Sequence, residues 1–199
     1  MLTLNESGHV IDGRVRLAIS GSIERGPLTR INGIIVHQTG SPTAQSTLNG
    51  YRGQANGAHF LIDQDGTIYQ TASVLKQTWH VGRLRARCLA ELRCSATETT
   101  ALRGMSASTR NRHEMTKQVP DRYPSNEDSL GIELVGQAFP LNEPDPDKRT
   151  YETVPTAQND SLKWLIQSLT ATLGVLMTEV FRHPTVSQKN VTEAATASW

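Results

Sequence analysis

The chemistry available to this chain rests on histidines and a carboxylate set at the ends of, or inside, apolar runs. Six histidines occur: His9, His37, His59, His80, His113 and His183. His37 closes the β-branched run Ile31-Asn-Gly-Ile-Ile-Val-His37 just before Gln38-Thr-Gly-Ser-Pro42, so a strand fixes its imidazole while a turn leaves it open. His183 follows a short apolar stretch near Val180 and precedes Pro184, which restricts its backbone to extended conformations. Glu133 lies inside another apolar run, Ser129-Leu-Gly-Ile-Glu-Leu-Val135, where a carboxylate requires a reason. Two imidazoles from distant strand ends plus one carboxylate make the three-ligand pattern of a catalytic zinc site, with the fourth position left to water. No short motif of the His-Glu-x-x-His kind joins them, so spacing alone leaves each histidine open to an ordinary surface or core role.

The elements that must position these groups can be read from periodicity. Ala58–Asp63 and Thr67–Gln70 flank Gln64-Asp-Gly66, an Asp-Gly hairpin signal. Thr43–Tyr51 suits a short helix. Leu162, Leu165, Ile166, Leu169 and Leu173 recur at helical spacing, opened by Pro155 and Thr156 and closed by Gly174. Strands, a hairpin, a further strand, this helix and a short strand near Val180 predict an α/β domain with a central mixed sheet flanked by helices. Arg83–Lys117 shows no periodicity and holds eight Lys/Arg against three Glu. Asp121–Glu152 reverses the balance, with eight acids against three bases. Such blocks read as solvated loops, the alternative being a positive wall facing an acidic substrate. The tail from Val180 to Trp199 reads as an extended or looped segment packed over the domain.

With 199 residues, 37% hydrophobic and 20% charged, the chain suits one domain with its own core. Twenty basic against 19 acidic residues leave +1, too balanced for phosphate-driven nucleic-acid binding. No apolar stretch approaches the roughly 18 residues that span a bilayer, so neither nucleic acid nor membrane is an expected partner. Met1–His9 has neither a basic nor an apolar segment of the secretory type, so no signal peptide is expected. Cys88 and Cys94, six residues apart, could close a small disulfide loop in an oxidising compartment or remain two thiols.

Five ordered blocks carry a resemblance: Ile35-Val-His37-Gln-Thr-Gly, Gly57-Ala-His-Phe-Leu-Ile-Asp-Gln-Asp-Gly-Thr-Ile-Tyr-Gln70, Thr78-Trp-His-Val-Gly82, Ser129-Leu-Gly-Ile-Glu-Leu-Val-Gly136, and the tail with His183 and Lys189. Together they resemble the zinc-dependent N-acetylmuramoyl-L-alanine amidases, the amidase-2 family that includes bacterial and phage amidases and peptidoglycan recognition proteins. The resemblance runs from Ile31 to Trp199, with residues 83–127 as an irregular insertion within a single domain, 1–199. It implies hydrolysis of the amide between N-acetylmuramic acid and L-alanine of the stem peptide. It implies Zn²⁺ held by His37, His183 and Glu193, with Glu133 and Lys189 catalytic and Asn56, Trp79 and His80 touching the muropeptide. His59 is then structural, and His9 and His113 have no role. Where the phage branch has a tyrosine just before the His-Phe-Leu-Ile block, this chain has Ala58, which points to Glu133 as the proton carrier. The bacterial pattern puts an aspartate ten residues after the second histidine. Here Glu193 stands there, four residues after Lys189 rather than two.

The resemblance leaves a non-catalytic peptidoglycan-binding module as the alternative, with a zinc amidase acting on another acylated amine behind it. A wall hydrolase of this kind suits phage lysis, recycling of wall fragments, or delivery as an antibacterial toxin. The tail resembles toxin-type and phage-type members, which implies action in the periplasm of a target bacterium and, for a toxin, a cognate immunity protein.

Overall fold

The long apolar runs and the helical stripe take up the elements they imply, joined by shorter strands the sequence does not announce. The computed structural model describes residues 1–53 and 56–199. Among them the strands are Val15–Leu17 (β1), Glu24–Pro27 (β2), Gly33–Gln38 (β3), Phe60–Ile62 (β4), Ile68–Gln70 (β5), Lys76–Thr78 (β6), Ser129–Leu134 (β7), Ala138–Phe139 (β8), Thr150–Tyr151 (β9) and Val180–Arg182 (β10). The helices are Ala44–Tyr51 (α1), Arg87–Ala90 (α2), Ala96–Arg103 (α3), Ala107–Met115 (α4), Thr156–Leu173 (α5) and His183–Val186 (α6). Six strands make one sheet in the order β1-β5-β4-β7-β3-β10. Only the β4–β5 hairpin is antiparallel within it, with Gly66 in its turn at φ +87°. The result is the expected single-domain α/β fold with a central mixed sheet flanked by helices.

Strand alternation divides the sheet into a packed face and a chemical face. Ile34 and Val36 of β3, Phe60 and Ile62 of β4, and Leu130, Ile132 and Leu134 of β7 share one core with Leu162, Leu165, Ile166 and Leu169 of α5. Each such buried side chain contributes about 1.5–3 kcal/mol. The intervening residues therefore point the other way, and they include His37, Glu133 and Gly131. In the parallel β3–β7 pair His37 lies directly opposite Glu133, so one register fixes both groups on one surface.

Residues 83–127 depart from the expected irregular loop, since they carry α2, α3 and α4. Ser95 and Ser106 accept from the backbone N–H of Glu98 and Thr109 and cap α3 and α4. These helices have eight and nine residues, and their buried positions are only Leu102 in one and Glu114 in the other, so no apolar stripe recurs for periodicity to detect. Leu102 packs with Ala86 and Cys88, and Cys88 is bridged to Cys94. The basic excess is partly internal: Arg87 makes a bidentate pair with buried Glu179, Nη1–Oε2 2.7 Å and Nη2–Oε1 3.0 Å, fastening α2 to the turn before β10. The tail packs over the domain as expected, with Ala194 and Ala197 buried. No helix among the described residues is long and apolar enough to cross a membrane.

Candidate metal centre and active site

The carboxyl ends of β3 and β10 bring two imidazoles together, since His37 is the penultimate residue of β3 and His183 directly follows β10. Their ring centroids lie 4.2 Å apart. The tail then folds back to supply the carboxylate: Glu193 Oε1 is 2.9 Å from His183 Nδ1 and 3.5 Å from His37 Nδ1. Several contacts hold that return, three of them around Ala194 and Trp199. Ala194 N–H donates to Gln38 Oε1 at 3.2 Å, Arg182 Nε donates to Ala194 O at 3.0 Å, and the Arg182 guanidinium lies 5.0 Å over the Trp199 ring. Ala194 itself adopts φ +53°, a left-handed conformation that costs a residue with a Cβ about 1–2 kcal/mol, so local strain sits beside Glu193.

These three donors fit a metal. Two ligands about 2.05 Å from a tetrahedral ion lie about 3.3 Å apart, and the Nδ1–Oε1 separations of 2.9 and 3.5 Å bracket that value. Burial and the neighbouring His183 lower the His37 pKa to about 4, so its imidazole is neutral and keeps a free lone pair. Burial alone would raise Glu193, yet hydrogen bonds from His183 and His37 bring it down to about 2, leaving an anion. His183 Nε2 is buried without a hydrogen-bond partner among the described residues, so the ring's bonding is directed through Nδ1. A second cluster, Glu98, His113 and Glu114, has its cation already: Lys117 Nζ is 2.7 Å from both Glu98 and Glu114.

Glu133 faces the same pocket of about 480 Å³ that His37, His183, Glu193 and Lys189 line. Its Oε2 is buried with no partner among the described residues. Burial, then the Glu193 charge, push its pKa up to about 8, against the opposing pull of Lys189. Asn56, Trp79 and His80 line the pocket. Trp79 is 48% exposed with the Arg25 guanidinium 4.7 Å over its ring. His80 is tied into the site more closely than a surface contact would be, because its Nδ1 lies 3.0 Å from His37 Nε2. Gly131 makes room for it: a Cβ there would meet the His80 ring at 2.8 Å. His59 is fully buried, donates from Nε2 to Lys76 O at 2.8 Å and accepts the Gly131 N–H at Nδ1 at 3.0 Å, which joins β4, β6 and β7. His113 lies 2.8 Å from Glu98 and is not among the residues lining the pocket.

The pocket also contains residues that the sequence reading did not single out, among them Tyr51, Tyr151 and Asn190. Tyr51 arrives from the end of α1, where its hydroxyl accepts the Ala58 N–H at 3.4 Å. Burial, with Glu133 adding to it, holds the phenol well above its ordinary pKa. Asn190 is built into the tail, donating to Pro146 O and Arg149 O at 2.7 and 2.6 Å. No spacing in the sequence marks either residue, because each reaches the site through contacts between distant segments.

The family described as N-acetylmuramoyl-L-alanine amidase matches residues 27–196. No curated protein matches the chain by sequence. Among solved structures, the crystal structure of a selenomethionine AmpD derivative has a TM-score of 0.54 at 17% identity, over 94% of this chain and 89% of that one. AmpDh3 from Pseudomonas aeruginosa, in complex with anhydromuramic pentapeptide, has a TM-score of 0.55 at 16% identity over 95% of this chain but 60% of that one, so this chain spans less than two thirds of that protein. The catalytic domain of XlyA has a TM-score of 0.52 at 17% identity, over 88% and 87%. At such identities the likeness is one of fold. The family match covers β3 to β10, the pocket and the returning tail as far as residue 196, and the chain belongs to the N-acetylmuramoyl-L-alanine amidase family.

Proposed function

We propose that this protein is a zinc-dependent amidase that hydrolyses the amide joining the lactyl group of N-acetylmuramic acid to L-alanine of the stem peptide. The observation that carries the reading is the convergence of His37, His183 and Glu193 on one point beside a Glu133 carboxyl with one oxygen unpartnered among the described residues. His37, His183 and Glu193 would hold the zinc ion, which when bound would supply Lewis acidity for the hydrolysis. Glu133 takes a proton from the water as it adds to the carbonyl carbon, and passes it to the nitrogen as the C–N bond breaks. The products are a lactyl carboxylate and a free α-amine on the peptide. Lys189 carries its ammonium to the pocket wall beside Gly82, where an added Cβ would lie 4.0 Å from Lys189 Cε. There it offers a cation to the oxygen that gains charge. Trp79 and Asn56, bridged to each other through the backbone, present a stacking surface and an amide to the sugar.

The presence of Glu193 against both histidines supports the enzyme over a module that only binds. Digestion of purified sacculi followed by mass spectrometry tests the reading: new L-alanine amino termini paired with unsubstituted muramic acid support it. Intact wall with bound protein would replace it with the binding module, and ends of another type would assign another bond.

A further inference from the structure

The eight bases of residues 83–117 are not equally committed. Glu91 pairs with Arg87 and Arg93 at 2.7 and 2.5 Å, and Glu98 and Glu114 share Lys117 at 2.7 Å each. The three acids are thereby used up. Arg83 and Arg85 make no ion pair or side-chain hydrogen bond among the described residues. Arg110 donates from Nη2 to Leu102 O and Met105 O at 3.1 and 3.3 Å, while its buried Nε has no partner among the described residues. These three arginines line one groove of about 310 Å³ together with Leu84 and Leu89. Gln188, adjacent to Lys189, lines both this groove and the catalytic pocket.

The groove is fastened to the catalytic tail. Leu84 forms an antiparallel bridge with Ser187, Arg85 N–H donates to Val186 O at 2.8 Å, and Ser187 Oγ donates to Arg83 O at 2.8 Å. Leu84 N–H also donates to Asn111 Oδ1 at 2.8 Å, joining this segment to the helix that carries Arg110. The backbone that carries three arginines with little internal charge to satisfy is thus fastened beside His183 and Lys189. Guanidinium groups match carboxylates in planar, two-bonded geometry.

We infer that this groove is an anionic subsite for the carboxylates of the peptide half of the substrate. The inference rests on the amidase reading, which decides the orientation. In a muramyl amide the lactyl carboxyl is consumed in the scissile bond, and the sugar otherwise offers neutral hydroxyl and acetamido groups. A peptide chain ends in a carboxylate, so the amine side of the bond is where anions lie. The substrate then runs from Trp79 and Asn56, across the metal ligands and Lys189, past Gln188 to Arg83, Arg85 and Arg110.

The test compares an N-acetylmuramoyl pentapeptide bearing free carboxylates with the same compound carrying carboxamides, cleaved by wild-type protein and by the Arg83→Gln/Arg85→Gln variant. Wild type should prefer the carboxylate form by about tenfold or more in kcat/KM, as expected when a charged hydrogen bond is lost, and the variant should bring that preference close to unity. Equal preference in the two proteins, or none in wild type, overturns the inference while leaving the amidase reading intact. Calorimetry with the free pentapeptide gives an independent arm. If wild type cleaves neither compound, the amidase reading fails, and weaker peptide binding by the variant still supports the subsite whereas equal binding overturns it. Arg110 is left unchanged because it holds the α3–α4 turn. Should Arg85→Gln unfold the segment, Arg83→Gln, at an exposed position, carries the same comparison with a smaller loss.

Discussion

Replacing His80 by alanine should weaken zinc binding although His80 is not a ligand in this account. His37 Nδ1 is the atom turned toward Glu193, so with that nitrogen given to the metal the ring proton resides on Nε2, 3.0 Å from His80 Nδ1. His80 accepts it, and its own Nε2–H then faces Ser129 O and Oγ at 3.5 and 3.4 Å. The ring is placed for this, since Asn126 Oδ1 accepts both the His80 and Val81 N–H groups at 3.0 and 2.7 Å. Without the His80 ring, the His37 N–H loses its acceptor in a site where His37 is 2% exposed. An orphaned buried donor costs about 1–3 kcal/mol, or about 5- to 150-fold in affinity, which overlaps the roughly 10–100-fold seen for outer partners of metal-bound histidines. His80 is half-buried, so water can enter its place, which sets the expectation near tenfold. Chelator competition reads the affinity, and ¹⁵N NMR reads the His37 tautomer. His80→Gln, which keeps an acceptor oxygen, should recover part of the loss. An alanine variant that binds zinc as tightly as wild type, with the His37 tautomer unchanged, would refute the reasoning.

Glu133→Gln should keep fold and zinc while turnover falls by about 10²–10⁴-fold, the usual share of a general acid–base group; a wild-type rate would return Glu133 to a structural role. Arg87→Ala strips the partner from buried Glu179 and should cost about 3–5 kcal/mol in urea unfolding, with a loss below 1 kcal/mol contradicting the fastening assigned to that pair. Asp128 gives a pH prediction: burial raises its pKa, but Arg122, the Ser125 N–H and Asn32 outweigh this and hold it below the ordinary value. Its folded-state anion therefore stabilises the protein above about pH 4, and that contribution disappears as pH falls through the lowered pKa. Asp128→Asn should be less stable than wild type at pH 7, with the gap closing in acid; a gap independent of pH would contradict the assignment.

The parts of this fold legible in the sequence are those where one local pattern suffices. β3 and β7 are runs of buried β-branched and aliphatic residues, α5 has five apolar positions at helical spacing, and the Asp-Gly turn fixes the β4–β5 hairpin. β2 and β6, Glu-Arg-Gly-Pro and Lys-Gln-Thr, carry no such pattern and exist because they pair with each other. The same division holds in the site. His37, His183 and Glu133 stand out because polar groups at the ends or centres of buried strands are unusual. Glu193 was indicated only through family resemblance, and its position depends on Gln38 holding Ala194 across 156 residues of chain. The helices of residues 83–127 are not legible in the sequence because their caps and ion pairs are polar, and only a single buried leucine marks α3.

The most direct test of the metal-centred account is the zinc content of wild type and Glu193→Ala, measured by elemental analysis on the same preparations whose peptide release is assayed. Wild type should hold one zinc per chain, Glu193→Ala should lose zinc and activity together, and Glu193→Asp should retain part of both. Full zinc occupancy and full rate in Glu193→Ala would contradict that account and place the third ligand elsewhere.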